Sequence, residues 1–346
     1  MKRVLVTGAA GFIGSNLVYE LVERFPDAAI HALDLLTYAG NLKNIQPLID
    51  SKRIGFTRAD ICDQGAMNSL FEQGKFDLVF HLAAESHVDR SILSASEFVR
   101  TNVLGTQTLL NAALAQHRAG ARLRFVHIST DEVYGSLGPT GVFTEETPLD
   151  PTSPYAASKA GSDLLVQAAH RTHHIDAVIT RCTNNYGPYQ FPEKFIPLFI
   201  THCMQGKALP LYGNGTNVRS WIHVRDHCAG LIAAATRGEA GQVYNLGGTP
   251  ACELSNVEVA RMIMREVGVP DSLLTLVADR PAHDFRYAVD IAKARRDLGW
   301  EPTRSFEQGL KETILWYTNQ RTWWEDIISG DYKSFYEKNY ASRGAA

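Results

Sequence analysis

Cysteine is scarce and unpaired in this chain. The five thiols (Cys62, Cys182, Cys203, Cys228 and Cys252) are odd in number and form no C-x-x-C. That argues against a disulfide framework or a zinc site and for reduced thiols in a cytoplasmic protein. No apolar run approaches the roughly 18 residues that cross a bilayer. Charge of one sign is missing too: 34 Lys and Arg stand against 37 Asp and Glu, mixed along the chain. With no basic surplus, a nucleic-acid partner is not expected. The first strand is expected to begin at Lys2, leaving no stretch for a signal peptide ahead of it. There is no internal repeat and no low-complexity segment.

At 346 residues and 45% hydrophobic content, the chain can bury one large core or two modest ones. Short apolar runs recur at Val4-Leu5-Val6, 30–33, 54–57, 77–82, 125–129 and 177–181, with helix-like stretches between them. Continuous apolar strands separated by helices read as an α/β fold with a doubly wound parallel sheet covered on both faces. Ligands of such sheets bind beyond the carboxyl ends of the strands. The second half is richer in Pro, aromatic and basic residues and reads as a smaller cap over the open end of the sheet. The expected division is a dinucleotide-binding domain over 1–182, with a later segment near 220–248 returning to it. A mainly substrate-binding domain is expected over 183–346.

Gly8-Ala9-Ala10-Gly11-Phe12-Ile13-Gly14 follows the first strand and opens a helix expected over Phe12–Arg24. Its glycines let the backbone turn tightly against a pyrophosphate, which the free N–H groups and dipole of the helix N-terminus then attract. Asp34 lies at the end of the second strand, where a carboxylate can bind both ribose hydroxyls. Leu35-Leu36-Thr37 offers no arginine for a 2′-phosphate, so NAD is favoured over NADP. Asp60-Ile61, after the third strand, is placed to meet the adenine.

Ser129-Thr130-Asp131-Glu132 ends the fifth apolar run, and Tyr155 stands one helical turn before Lys159. A lysine ammonium beside a phenol favours the phenolate, which makes the tyrosine a base. That pair and a hydroxyl such as Thr130 suffice for plain oxidation. Asp131 and Glu132 add an acid and a base, which points to oxidation coupled to loss of water. Taken singly, each residue has a plainer reading as a loop acid, a core tyrosine or a surface lysine.

Nearly the whole chain resembles the extended short-chain dehydrogenase/reductases, and within them the nucleotide-sugar 4,6-dehydratases. The resemblance rests on the glycine motif, Leu33 to Asn41, His81 to Ser91, Thr101-Asn102-Val103, Ser129 to Gly135, Tyr155 to Lys159, Asn184 to Lys194 and Pro210 to Gly213. It implies a Rossmann-like sheet with a smaller α/β cap, and NAD held by Gly8, Gly11, Phe12, Ile13, Gly14, Asp34, Thr37, Asp60, Ile61, Leu82, Ala83, Ala84, Thr101, Tyr155, Lys159 and Asn185. It also implies the order of events. Tyr155, helped by Lys159 and Thr130, takes the C4 hydroxyl proton while hydride leaves C4. Glu132 acts as base at C5 and Asp131 as acid toward the C6 hydroxyl, and hydride returns at C6. Asp131 must then hold a raised pKa, through its neighbour Glu132 and through burial.

A nucleotide-sugar substrate, dTDP-glucose first, is implied, with contacts from Ser86, Thr130, Asn184, Lys194, Pro210, Tyr212, Arg219, Arg280 and His283. The chain departs from the family pattern at Gly247-Gly248-Thr249-Pro250-Ala251, Ser220, His223, Arg225 and Ala282. These changes put the base in doubt more than the reaction. A dehydratase for another nucleotide hexose and a C4 epimerase are the alternatives, the epimerase having no use for Asp131-Glu132. The resemblance further implies a homodimer through a four-helix bundle, from helices near 98–116 and 153–172. The Leu109-Leu110 and Leu164-Leu165 runs suit either that bundle or core packing. His170, His173 and His174 read as an exposed helix end, not a metal site. Trp300, Trp316, Trp323 and Trp324 read as packing for terminal helices.

Overall fold

The computed structural model describes residues 1–279 and 284–329. Seven strands form one parallel sheet: β1 (Arg3–Thr7), β2 (Ala29–Asp34), β3 (Ile54–Arg58), β4 (Leu78–His81), β5 (Arg124–Thr130), β6 (Asp176–Cys182) and, from far along the chain, a strand at Val243–Leu246. The order across it is that late strand, then β6, β5, β4, β1, β2, β3. The order reverses beside β1, between β4 and β2, which opens a crevice at the strands' carboxyl ends.

Strand periodicity divides the core. Val4 and Val6 of β1 face one side with Leu17, Leu21 and Leu231, from the helices Phe12–Arg24 and Val224–Arg237. Leu5 faces the other side with Met67, Phe71, Leu109, Leu110 and Val166. Leu109 and Leu110 are therefore core residues of the Thr106–Arg118 helix. Leu164, on the Pro154–His173 helix, is 55% exposed.

A separate apolar cluster gathers Ile196, Phe199, Trp221, Ile263, Leu310, Tyr317 and Trp324. Around it lie two small sheets. One joins β7 (Asn184–Tyr186), β9 (Val218–His223) and β11 (Glu253–Ser255); the other joins β8 (Leu209–Tyr212) and β12 (Leu274–Val277), the Val243–Leu246 strand being β10. Trp316 and Trp323 pack edge-on with Tyr189 and Tyr317, whose hydroxyl donates to the Gln190 carbonyl. The terminal helices thus brace the segment carrying Phe191, Glu193 and Lys194. Trp300 belongs elsewhere, its indole N–H donating to the Asp226 carbonyl at 3.0 Å. Among the described residues no helix is long and apolar enough to cross a membrane, and all five cysteines are free thiols.

Candidate active site

One cleft runs across the carboxyl edge of the sheet. At one end the glycine turn follows β1. Gly8 has φ +67°, and a Cβ there would lie 2.7 Å from the Ala83 amide. A Cβ on Gly14 would collide with the Gly8 carbonyl oxygen. Both glycines are required by the turn's own packing. Gly11 differs: an added Cβ would meet only the Gly8 oxygen, at 3.3 Å, and the residue caps the Phe12–Arg24 helix in the cleft wall. Its missing side chain leaves room for a ligand at a helix N-terminus.

Asp34 ends β2 with its carboxylate fixed by the amides of Ala10 (2.9 Å) and Leu36 (2.7 Å). Burial raises its pKa and those two hydrogen bonds oppose the rise. Arg58 is the register partner of Asp34, and its Nε donates to the Leu35 carbonyl at 3.2 Å. The pairing is one of backbone register, and the bonds of the carboxylate itself go to the two amides. Asp60 lines the cleft with its carboxylate held by Arg100 at 2.6 Å. Phe12, Ile13, Thr37, Ile61, Leu82, Ala83, Ala84, Thr101 and Asn185 line the same cleft. A buried residue to which the sequence reading assigned no role, Asn102, sits in a wide π-helical turn, Val99–Gly105. Its side chain accepts from the Glu85 amide (2.9 Å) and donates to the Glu85 carbonyl (2.9 Å) and to Ser158 Oγ (2.8 Å). It ties the loop after β4 to the Tyr155 helix.

At the other end β5 delivers Thr130, and a tight turn over Asp131–Tyr134 follows. Thr130 caps that turn, accepting from the Glu132 amide and donating to Asp131 Oδ1, both at 3.3 Å. Ser153 caps the Pro154–His173 helix, accepting from the Ala156 amide, with Pro154 at its first position. Tyr155 therefore stands in that helix's first turn and Lys159 one turn on. Thr130, Asp131, Glu132, Tyr155 and Lys159 all line the cleft.

Burial governs the charges. Asp131 is 2% exposed, and its carboxyl is pushed up to about 8, by burial first and by Glu132 second. That is the direction expected from the sequence. Tyr155 behaves otherwise than its spacing suggests. Burial, then the charge of Glu132, drives the phenol well above its ordinary value, while the Thr130 hydrogen bond pulls it down. Lys159 donates to the Ile128 carbonyl at 2.8 Å, and burial lowers its ammonium to about 8. The helical spacing places the two a turn apart, and burial dominates the phenol.

Of the expected substrate contacts, Ser86, Thr130, Asn184 and Lys194 line the cleft, and Lys194 reaches the Ser86 carbonyl at 3.1 Å. Asp131 Oδ2, Thr183 Oγ1, Asn184 Oδ1 and Asn185 Oδ1 are buried without hydrogen-bond partners, a set of polar atoms suited to a polar ligand. Pro210 and Tyr212 lie on β8, away from the cleft lining, with the Tyr212 hydroxyl 3.5 Å from Asp89. Arg219 is 5% exposed and donates to the carbonyls of Val218, Asp284 and Phe285, with its guanidinium 4.5 Å over the Tyr287 ring. Its charge lowers the pKa of Asp131. Arg280, Ala282 and His283 lie outside the described residues. Ser220 pairs in register with Glu253 across β9 and β11, and Thr249 caps a short turn over Pro250–Cys252, both off the cleft lining. His170, at the end of its helix, bonds the Ile175 carbonyl through Nδ1 at 2.9 Å. Among the described residues no three potential metal ligands gather.

A glycine turn at the order reversal of a parallel sheet, facing a Thr-Asp-Glu run and a Tyr-x-x-x-Lys helix, defines a dinucleotide-dependent enzyme acting on a polar substrate. The sequence profile of the GDP-mannose 4,6 dehydratase family matches residues 5–313, and the chain belongs to that family. It is 48% identical to the dTDP-glucose 4,6-dehydratase of Neisseria meningitidis serogroup B, over 96% of this chain and 98% of that protein. A dTDP-glucose 4,6-dehydratase of Streptomyces venezuelae, solved with NAD bound, superposes with a TM-score of 0.89 at 50% identity, covering 94% of this chain and 99% of that one. The fold alone does not fix the chemistry. UDP-glucose 4-epimerase of Thermus thermophilus, in complex with NAD, superposes with a TM-score of 0.84 at 28% identity, over 92% of this chain and 99% of that one.

Proposed function

We propose that this chain converts dTDP-glucose to the 4-keto-6-deoxy sugar by loss of one water, with NAD held in the cleft throughout. The observation that carries the reading is the Asp131-Glu132 pair, set at the same end of the cleft as Thr130, Tyr155 and Lys159. An epimerase, which oxidises and reduces at C4 alone, has no work for a second acid and base. The nucleotide is proposed from the 45–51% identity to dTDP-glucose 4,6-dehydratases.

NAD supplies reversible two-electron chemistry: hydride leaves the sugar at C4 and comes back at C6. Gly8, Gly11 and Gly14 give its pyrophosphate a close approach, Asp34 receives its ribose hydroxyls, and Asp60 and Ile61 flank its adenine. Phe12, Ile13, Thr37, Leu82, Ala83, Ala84, Thr101 and Asn185 complete the wall. Tyr155 takes the C4 hydroxyl proton while Thr130 hydrogen-bonds the same oxygen. The new ketone acidifies C5–H, Glu132 removes that proton, and neutral Asp131 protonates the departing C6 hydroxyl, which leaves as water. Glu132 then returns a proton to C5. Ser86, Asn184 and Lys194 hold the sugar and phosphates. Pro210, Tyr212, Arg219, Arg280 and His283 form the nucleotide end.

The proposed division of labour keeps residues 1–182, with about 220–248, for the cofactor and 183–346 mainly for the nucleotide sugar. A homodimer through the helices near 98–116 and 153–172 is proposed as well. Ile92, Leu93, Val99, Leu104 and Leu164 support it, five exposed apolar side chains on neighbouring helices. A cytoplasmic location fits the five free thiols. The experiment is to offer dTDP-, UDP-, GDP- and CDP-hexoses without added NAD and weigh the products. Loss of one water from the dTDP sugar supports the reading, and preference for another base redirects it.

A further inference from the structure

We propose that Asp163, buried beneath the cleft, is the positioning residue that keeps Lys159 charged and thereby sets the pH range in which Tyr155 can act as a base. The proposal rests on the reading above only in taking Tyr155 as the base that removes the C4 hydroxyl proton.

Asp163 follows Lys159 by four residues on the Pro154–His173 helix, which puts the two side chains on one face a turn apart. Asp163 is fully buried and Lys159 is 4% exposed. The Lys159 hydrogen bond goes to the Ile128 carbonyl, a neutral acceptor that leaves the ammonium's charge uncompensated. Asp163 is held ionised from two strands: Arg181 Nε on β6 donates to Oδ2 at 2.9 Å, and His127 Nε2 on β5 lies 3.3 Å from Oδ1. These contacts keep its carboxyl below the ordinary value despite burial. Ser162 bonds both the Lys159 carbonyl (2.7 Å) and His127 (3.0 Å), fixing the helix turn to the strand.

The groups facing Lys159 come from every neighbouring element. Tyr155 and Asp163 share its helix, His81 comes from β4, His127 from β5 and Cys182 from β6. Burial lowers both histidines and raises the Cys182 thiol to about 12, so these three are neutral near pH 7. Asp163 is then the carboxylate that opposes the lowering of Lys159. Glu132 and Asp131, on the turn after β5, oppose a Tyr155 phenolate, so the charge on Lys159 is the one on this helix that favours it. The cluster is a built-in reason for proton loss at a tyrosine whose own surroundings oppose it.

The test isolates oxidation by using dTDP-xylose, which has no C6 and cannot be dehydrated. Formation of reduced coenzyme on the holoenzyme is followed by its near-ultraviolet absorbance against pH. The wild type should lose rate as pH rises through about 8, where Lys159 deprotonates. In Asp163→Asn the basic limb should move down by about one pH unit or more, the usual effect of losing an adjacent opposite charge. Asp163→Glu should restore its position. The double variant Asp163→Asn with Arg181→Met removes the buried pair together, which cores often tolerate, and should shift the same way. A uniform loss of rate with the limb unmoved overturns the proposal. So does failure of both neutral variants to fold, which would assign the cluster to the structural core. Wild-type dehydration of dTDP-glucose is measured alongside. Its absence would defeat the dehydration reading while the oxidation profile still judges Asp163.

Discussion

Asp131 and Tyr155 both hold their protons more tightly than usual, for the same reasons, burial and neighbouring acids. For an acid aimed at a leaving hydroxyl this is useful; for a base it is adverse and needs compensating positive charge. The consequence for pH has a definite sign. Asp131 works protonated, so dehydration should fall as pH rises through about 8. Asp131→Asn should slow dehydration by about 10²-fold or more, the usual worth of a general acid. It should leave oxidised sugar and reduced coenzyme behind, seen by mass spectrometry and absorbance. Release of fully dehydrated product at the wild-type rate would remove Asp131 from the reaction. At this scale spacing was legible and environment was not. Tyr155-x-x-x-Lys159 announced a helix turn, whereas the desolvation that pushes the phenol up comes from β5 and β6, far along the sequence. The register pairing of Asp34 with Arg58 is likewise set by strand order and not by local sequence.

The glycine turn and the helix it opens form the element on which cofactor binding depends, and its three glycines predict different failures. Gly14→Ala puts a methyl into the Gly8 carbonyl, and the backbone must move. Overpacking of this kind costs about 1–3 kcal/mol, so the protein should melt at lower temperature and purify without NAD. Gly11→Ala meets a single atom at 3.3 Å and should melt normally as apoprotein while binding NAD more weakly. Equal effects on melting would contradict the assignment of Gly11 to ligand space. The sequence pattern presented the three glycines as equivalent. The backbone around them, Ala83 against Gly8 and the Gly8 carbonyl against Gly14, separates packing from binding. The π-helical turn at Val99–Gly105 was illegible for a similar reason: nothing in Val-Arg-Thr-Asn-Val signals an extra residue in the turn. The Asn102 contacts to Glu85 and Ser158 show what it accomplishes.

In the whole molecule, the order of apolar runs carried the parallel sheet, because strands buried on both faces are apolar throughout. The return of Val243–Leu246 to pair with β6 was readable only as a segment near 220–248. The proposed dimer makes its prediction here. Leu104→Glu with Leu164→Glu changes two exposed positions and should yield a folded monomer by light scattering; an unchanged dimer would move the interface elsewhere. Acid stability is a second global property. Burial holds His127 and His223 at about 4 and His227 at about 3. The unfolded chain protonates them near the ordinary 6.5, so stability is full above that pH and lost as pH falls toward 4. Melting temperature should drop over that window, and a flat profile would contradict neutral burial of these rings. The account as a whole turns on one transfer, hydrogen moved within a single sugar. Incubating the purified protein with dTDP-glucose deuterated at C4, without added coenzyme, measures it directly. The account predicts a product lighter by one water with the deuterium in its C6 methyl group. A product of unchanged mass, or one whose label has left the sugar, would contradict it.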